Sequence, residues 1–190
     1  MLEAAFDVFA EVGFGRSTVE QVCERAGFTR GAFYSNFTSL EELFLAMWEQ
    51  RSAQLIADLR EVLETLEVGG IDDLDEIVER FERAVPMDAR WYGITAEFTA
   101  HALRNPELRS VMVAREQAIV DTLLPILTPL LHRAGRTIPD AAAYGQALVA
   151  VHDGTTVQVL MEPDAPRVRA RRVALFREIT LAYTVPVDGA

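Results

Sequence analysis

The 190-residue chain contains no lysine: all 18 of its basic residues are arginine, set against 29 carboxylates, for a net charge of −11. So acidic a chain has little general attraction for polyanions, and any nucleic-acid contact must come from a local face rather than from overall charge. The scarcity is sharpest in the first fifty residues, which hold Arg16, Arg25 and Arg30 against eight carboxylates. A single cysteine, Cys23, excludes an internal disulfide and suits a reducing cytosol. The three histidines, His101, His132 and His152, have no metal-ligand spacing among themselves or with Cys23, so no metal site is expected. No apolar run approaches the ~18 residues of a membrane span, and the start lacks a charged-then-apolar signal pattern. Serine-nucleophile motifs, glycine-rich phosphate loops and paired histidines are all missing, so nothing supports an enzyme or a cofactor.

Half of the residues are hydrophobic and a quarter are charged, enough for a globular core. Their periodicity is helical throughout, with no alternating strand. Leu2, Ala5, Phe6 and Phe9 mark one helix face, which Gly13-Phe14-Gly15 interrupts. Thr18 precedes a second helix carrying Val19, Val22 and Ala26, with Gln21 at capping-box spacing and Gly27 as the stop. Thr29 begins a very short third helix over 30–36, in which Phe33 and Phe37 lie one above the other. A fourth, long helix opens near Thr38 or Ser39, since Thr38/Glu41 and Ser39/Glu42 both have capping-box spacing. Its apolar face runs Leu40, Leu43, Phe44, Met47, Trp48, Leu55, Ile56, Leu59, Leu63, and Gly69-Gly70 ends it. Further helices are expected at about 72–85, 88–104, 107–134, 140–161 and 165–184, separated by breaks such as Val85-Pro86 and Asn105-Pro106, with Pro125 and Pro129 bending or breaking the third of these. The fold class is all-α, with eight or nine helices.

The stretch TVEQVCERAGFTRGAFYSNF at 18–37 carries the chemistry. Two short helices joined by a glycine turn form a helix-turn-helix, whose second helix enters the major groove. Ala26 is small where the helices cross, and Gly27 supplies a left-handed conformation at low steric cost. Thr29 caps the second helix and leaves its first amides facing a phosphate. Gly31 and Ala32 add little bulk where the helix must approach the duplex. Tyr34, Ser35 and Asn36 offer hydroxyl and amide groups to phosphates or base edges.

Together with AAFDVFAEVGFGRSTVEQV before it and EELF at 41–44, this stretch closely resembles the amino-terminal signature of TetR-type transcriptional regulators. The match covers about 45 residues; EFTAHALRNPELR at 97–109 adds a weaker likeness. The resemblance implies a DNA-binding head at 1–45 and a helical ligand-binding and dimerising body at 46–190. By it, Thr18, Thr29 and Tyr34 hold phosphates, while Arg30, Gly31, Ala32 and Ser35 lie nearest the bases. Arg30 can pair bidentately with guanine, or meet only a phosphate. Family members carry a lysine where this chain has Leu40, and they begin upstream of Met1 with a basic stretch. Either the true start lies upstream or an arm is lacking; both departures predict weak, salt-sensitive binding.

Helical bundles hold ligands between helices, which nominates Trp91, Phe98, His101, Met112, Gln117, His152 and Thr156, with a largely apolar effector. The last two helices are expected to form a homodimer contact through Leu148, Val151, Val159, Leu160, Val173, Leu175, Phe176, Ile179 and Tyr183, with Gly145 and Gly154 allowing close approach. Arg167, Arg169, Arg171 and Arg172 are expected on a solvated face. The function implied is a cytoplasmic, ligand-responsive repressor on a palindromic double-stranded operator, with neither membrane nor cofactor. The alternative is a helical ligand-binding or interaction dimer with little DNA affinity.

Overall fold

The computed structural model describes residues 1–68, 73–85 and 87–187. Gly69-Gly70, Pro86 and the Leu63 side chain lie outside the described residues. Nine helices run Leu2–Val12 (α1), Val19–Ala26 (α2), Arg30–Tyr34 (α3), Leu40–Val68 (α4), Leu74–Ala84 (α5), Ala89–Ala102 (α6), Pro106–Arg133 (α7), Ala141–Met161 (α8) and Pro166–Tyr183 (α9) among those residues. None of them is long and apolar enough to cross a membrane. The chain forms two compact units, Met1–Gln54 with Asp88–Ala114, and Leu55–Met87 with Arg115–Ala190.

The first unit is built around aromatic rings. Ala5, Phe6, Val8 and Phe9 on α1 are buried, as the spacing of that helix dictates. Gly13 ends α1 with φ 87°, a backbone conformation that favours glycine; a Cβ there would lie 2.7 Å from a Glu97 carboxylate oxygen, the mobile end of a side chain that can move aside. The chain can then turn Phe14 inward, where its ring meets Phe9, Phe98 and Phe44 edge-on at centroid distances of 5.2, 4.9 and 5.8 Å. Phe44 on α4 stacks on Phe98 of α6 at 3.7 Å. Helix α6 thereby belongs to the same core as the first three helices.

The second unit packs α5, the later turns of α7, α8 and α9 around Ile77, Phe81, Leu127, Leu131, Tyr144, Leu148 and Phe176. Pro125 and Pro129 do not break α7. Each removes one backbone donor, and the Thr128 hydroxyl turns back onto the Leu124 carbonyl at 2.7 Å. Gly145 brings α8 against α7 within the chain, since a Cβ there would sit 2.2 Å from Val120 Cγ1.

Two strands of two residues each, Arg136–Thr137 (β1) and Val185–Pro186 (β2), pair antiparallel; they are too short to produce an alternating pattern, and the fold is all-α as expected. Two expectations are corrected here. Leu148, Val159 and Phe176 are buried within their own chain at 7%, 1% and 1% exposure and cannot face a partner, whereas Leu175 and Tyr183 stay exposed. Arg172, expected with its neighbours on a solvated face, is fully buried. Its Nη1 donates to the Thr155 hydroxyl at 2.6 Å, to the Thr156 hydroxyl at 3.2 Å and to the His152 carbonyl at 3.2 Å, and Nη2 donates to His152 Nδ1 at 3.0 Å. One α8 turn therefore supplies acceptors to the two terminal nitrogens of the buried guanidinium.

Candidate nucleic-acid interface

The second and third helices owe their ends to local chemistry. Thr18 Oγ accepts the Gln21 amide at 3.2 Å while Gln21 Oε1 accepts the Thr18 amide at 2.9 Å, a reciprocal cap. Gly27 closes α2 in the left-handed region at φ 68°, and the Phe28 amide reaches back to the Cys23 carbonyl at 3.0 Å. A three-residue turn then delivers Thr29, whose Oγ accepts the Ala32 amide at 3.1 Å and starts α3. The inner side of this motif is closed by Val22, Cys23 and Phe33, all buried.

The outer side carries the expected recognition residues. Thr18, Thr29, Arg30, Gly31, Tyr34, Ser35 and Asn36 are exposed, and Ala32 is half-buried beneath them. Their hydrogen bonds limit what each can offer. Thr18 and Thr29 spend an oxygen lone pair on capping, so each hydroxyl proton remains available to a phosphate. Ser35 donates its hydroxyl to the Gly31 carbonyl at 2.8 Å, which leaves it an acceptor. Asn36 spends one amide proton on the Ala32 carbonyl at 2.8 Å. Tyr34 is 52% exposed, its ring held edge-on to Phe33 at 5.2 Å. Arg30 Nη1 lies 2.8 Å from Glu20 Oε1 on α2.

Two residues on this side went unnoticed in the sequence. Phe28, 52% exposed in the turn, is an apolar surface beside the recognition helix, signalled only by an aromatic between Gly27 and a cap. In the sequence Glu20 stands as one acid among several. Its pairing with Arg30 depends on how α2 and α3 cross, which periodicity does not convey. Leu40 opens α4 and packs partly against the first unit's core, and Ser39, rather than Thr38, caps that helix by accepting the Glu42 amide at 3.2 Å.

The seven effector candidates separate. Trp91, Phe98, His101 and Met112 lie in the first unit, where Phe98 and Met112 are buried core, Trp91 stacks toward Phe44 at 6.2 Å and His101 Nε2 lies 3.2 Å from Glu41. Gln117, His152 and Thr156 lie in the second. There His152 and Thr156 meet at Arg172, and exposed Gln117 donates to Asp121 at 2.8 Å. Burial first, and the positive Arg172 second, depress His152 to about 4, so its ring is neutral with Nδ1 as the acceptor. The second unit also contains a crevice of about 10 Å³ walled by Val78, Phe81, Leu131 and Phe176, with the Tyr144 and Thr180 hydroxyls bonded at 3.0 Å beside it. Among the described residues, no group of three or more histidines, cysteines or carboxylates is placed to hold a metal ion.

The sequence model for bacterial regulatory proteins of the tetR family matches residues 1–47, and that for the C-terminal part of BetI-type transcriptional repressors matches residues 70–180. The HTH-type transcriptional regulator UidR of Escherichia coli strain K12 is 26% identical over 121 residues, covering 64% of this chain and 59% of UidR. The chain thus spans about three fifths of the length of the curated relatives it matches first. A crystal structure of a transcriptional regulator from Rhodococcus sp. Rha1 superposes with a TM-score of 0.70 at 25% identity over 97% of both chains. FadR of Bacillus subtilis in complex with stearoyl-CoA shares the fold, with a TM-score of 0.65 at 20% identity over 95% of this chain and 96% of that one.

Proposed function

The chain belongs to the TetR family of bacterial regulatory proteins, and from that premise we propose that it is a homodimeric repressor whose hold on a palindromic operator is released by a small-molecule effector. Residues 1–45 are then the DNA-reading head and 46–190 the sensing and dimerising body. The observation that carries this reading is the exposed row Thr29, Arg30, Gly31, Tyr34, Ser35 and Asn36 on a short helix whose other side is anchored by buried Phe33. One such helix per subunit enters successive major grooves. Thr18, Thr29 and Tyr34 hold phosphates, and Arg30 reads a guanine.

The effector enters the second unit. Its crevice has room for about one water, so an apolar ligand must part α5 from α8 and α9 to enter. A ligand that binds only the parted state shifts the population toward it, with a coupling of about 1–3 kcal/mol between the sites. The Tyr144–Thr180 hydroxyl pair is the polar handle at the wall, and FadR with its stearoyl-CoA supports an effector with a long apolar chain on this fold. The exposed faces of α8 and α9, with Gly154, Met161, Leu175 and Tyr183, supply the two-fold contact. A chromosomal operator implies residence in the cytoplasm.

The test is fluorescence anisotropy of the purified protein on duplex DNA from upstream of its own gene, against a scrambled competitor, at low and near-physiological salt. Specific binding that weakens with salt is expected. Binding no tighter than to the scrambled duplex at either salt would leave a helical ligand-binding dimer as the better description.

A further inference from the structure

Each cation in the recognition segment already has a partner inside the protein. Residues 1–47 contain three arginines and seven carboxylates. Arg16 Nε donates to the Val12 carbonyl at 2.6 Å. Arg25 forks onto Glu11 at 3.0 and 2.5 Å. Arg30 Nη1 lies 2.8 Å from Glu20 Oε1, an ion-pair contact; among the described residues the Arg30 guanidinium makes no hydrogen bond. The two fixed arginines are held to α1. Arg30 and Glu20 instead stand at the open side of the helix-turn-helix, with side chains 62% and 56% exposed.

We propose that Glu20 is an internal competitor for DNA: its carboxylate occupies Arg30 in the free protein, and recognition proceeds by exchanging that carboxylate for a nucleic-acid acceptor. The inference rests on the reading that α3 meets DNA. A guanine edge presents O6 and N7 together and engages two guanidinium donors, whereas Glu20 meets the guanidinium only as an ion-pair contact; a base lacking two acceptors offers no such surplus. Exposed ion pairs of this kind are weak, so the exchange is readily reversible and lowers affinity by a modest factor. Glu20 thereby acts on recognition through Arg30, as a residue that sets affinity without touching the base.

The experiment is a double-mutant cycle read by anisotropy on the operator duplex, comparing the natural protein, Glu20→Gln, Arg30→Ala and the double variant. Glu20→Gln is expected to tighten binding roughly two- to fivefold when Arg30 is present, and to leave affinity unchanged when Arg30 is alanine. Glu20→Asp, which keeps the charge on the first turn of α2 but draws it back by one methylene, should also tighten binding only in the presence of Arg30; circular dichroism melts establish that each variant is folded. An equal gain in both backgrounds would overturn the proposal, because Glu20 would then merely repel phosphates. Weaker binding by Glu20→Gln would overturn it too, making Glu20 a support that orients Arg30. Failure of the natural protein to bind specifically is a separate result, visible without any variant, and it removes the underlying reading.

Discussion

Arg172 Nε stands 3.5 Å from Glu82 Oε1 inside the second unit, and neither atom has a hydrogen-bond partner among the described residues. Both residues are buried, at 0% and 7% exposure. The remaining guanidinium donors are satisfied by one turn of α8, and the Cζ lies 4.9 Å from the Phe176 ring centroid. Burial depresses the Arg172 pKa, and the negative charge of Glu82 opposes that fall. The pair therefore ties α5 to α9 while its desolvation remains only partly offset.

Removing one member should be far worse than removing both. Arg172→Met leaves an uncompensated carboxylate in the interior and is expected to destabilise by about 3–5 kcal/mol. Combining it with Glu82→Gln removes the orphan charge and should recover at least half of that loss. Urea unfolding at fixed protein concentration reads both values, the concentration being held because the stability of the proposed dimer depends on it. Equal losses for the single and double variants would mean that the cluster is held by the Thr155, Thr156 and His152 contacts alone.

What the sequence discloses divides along the range of the interactions. The Thr18–Gln21 cap, the Gly27 turn and the Thr29 cap each involve residues within a few positions of one another, so residue type and spacing reveal them. The helices after residue 70 were readable for the same reason, since proline and glycine punctuate them. Arg172 was not. The string RVRARR has the composition of a solvated face, and the acceptors that bury one of its arginines lie 16 to 20 residues upstream, with Glu82 further still. The membership of α6 in the first unit was equally hidden, because Phe98 packs on Phe44 and Phe14 through distant contacts. The apolar character of Leu148 and Phe176 does not say which of two apolar faces a chain keeps for itself.

His152 should make stability rise with pH. Its folded value of about 4 lies below the ordinary 6.5, so between these limits the unfolded chain binds more protons than the native one. The stabilisation is fully present above about pH 6.5 and is lost as pH falls toward 4, amounting to about 3–4 kcal/mol at most. His152→Asn presents Oδ1 to Arg172 in place of Nδ1 and cannot titrate. Thermal melts from pH 7 to 4.5 are expected to fall less steeply for the variant; parallel curves would locate the pH dependence elsewhere.

Gly145 and Gly154 occupy the same helix and should respond oppositely. Gly145→Ala drives a methyl into Val120 Cγ1, and a β-branched side chain in a helix has little rotamer freedom to yield. A loss of about 1–3 kcal/mol is expected, partly recovered by Val120→Ala. Among the described residues Gly154 has no atom within 4 Å of its added Cβ, so Gly154→Ala should raise helix stability by up to about 1 kcal/mol. If the exposed face of α8 is the two-fold contact, Gly154→Leu leaves the fold intact and dissociates the dimer in sedimentation velocity. An unchanged sedimentation coefficient would move the contact to another face.

Leu40 gives the sharpest test of how the recognition unit meets phosphate. It is the first residue of α4, half-buried against the core, at an end where Glu41 and Glu42 already crowd negative charge. Leu40→Lys can keep the aliphatic packing along its stem while carrying the ammonium to the surface. If the start of α4 lies along the duplex backbone, the substitution adds one phosphate contact. Operator affinity then rises at low salt, and the slope of log affinity against log salt steepens by about 0.9. The gain should shrink as salt approaches physiological strength, because the added contact is purely electrostatic. An unchanged slope with the fold preserved would show that α4 begins away from the phosphates, leaving Thr18, Thr29 and Tyr34 to position the recognition helix.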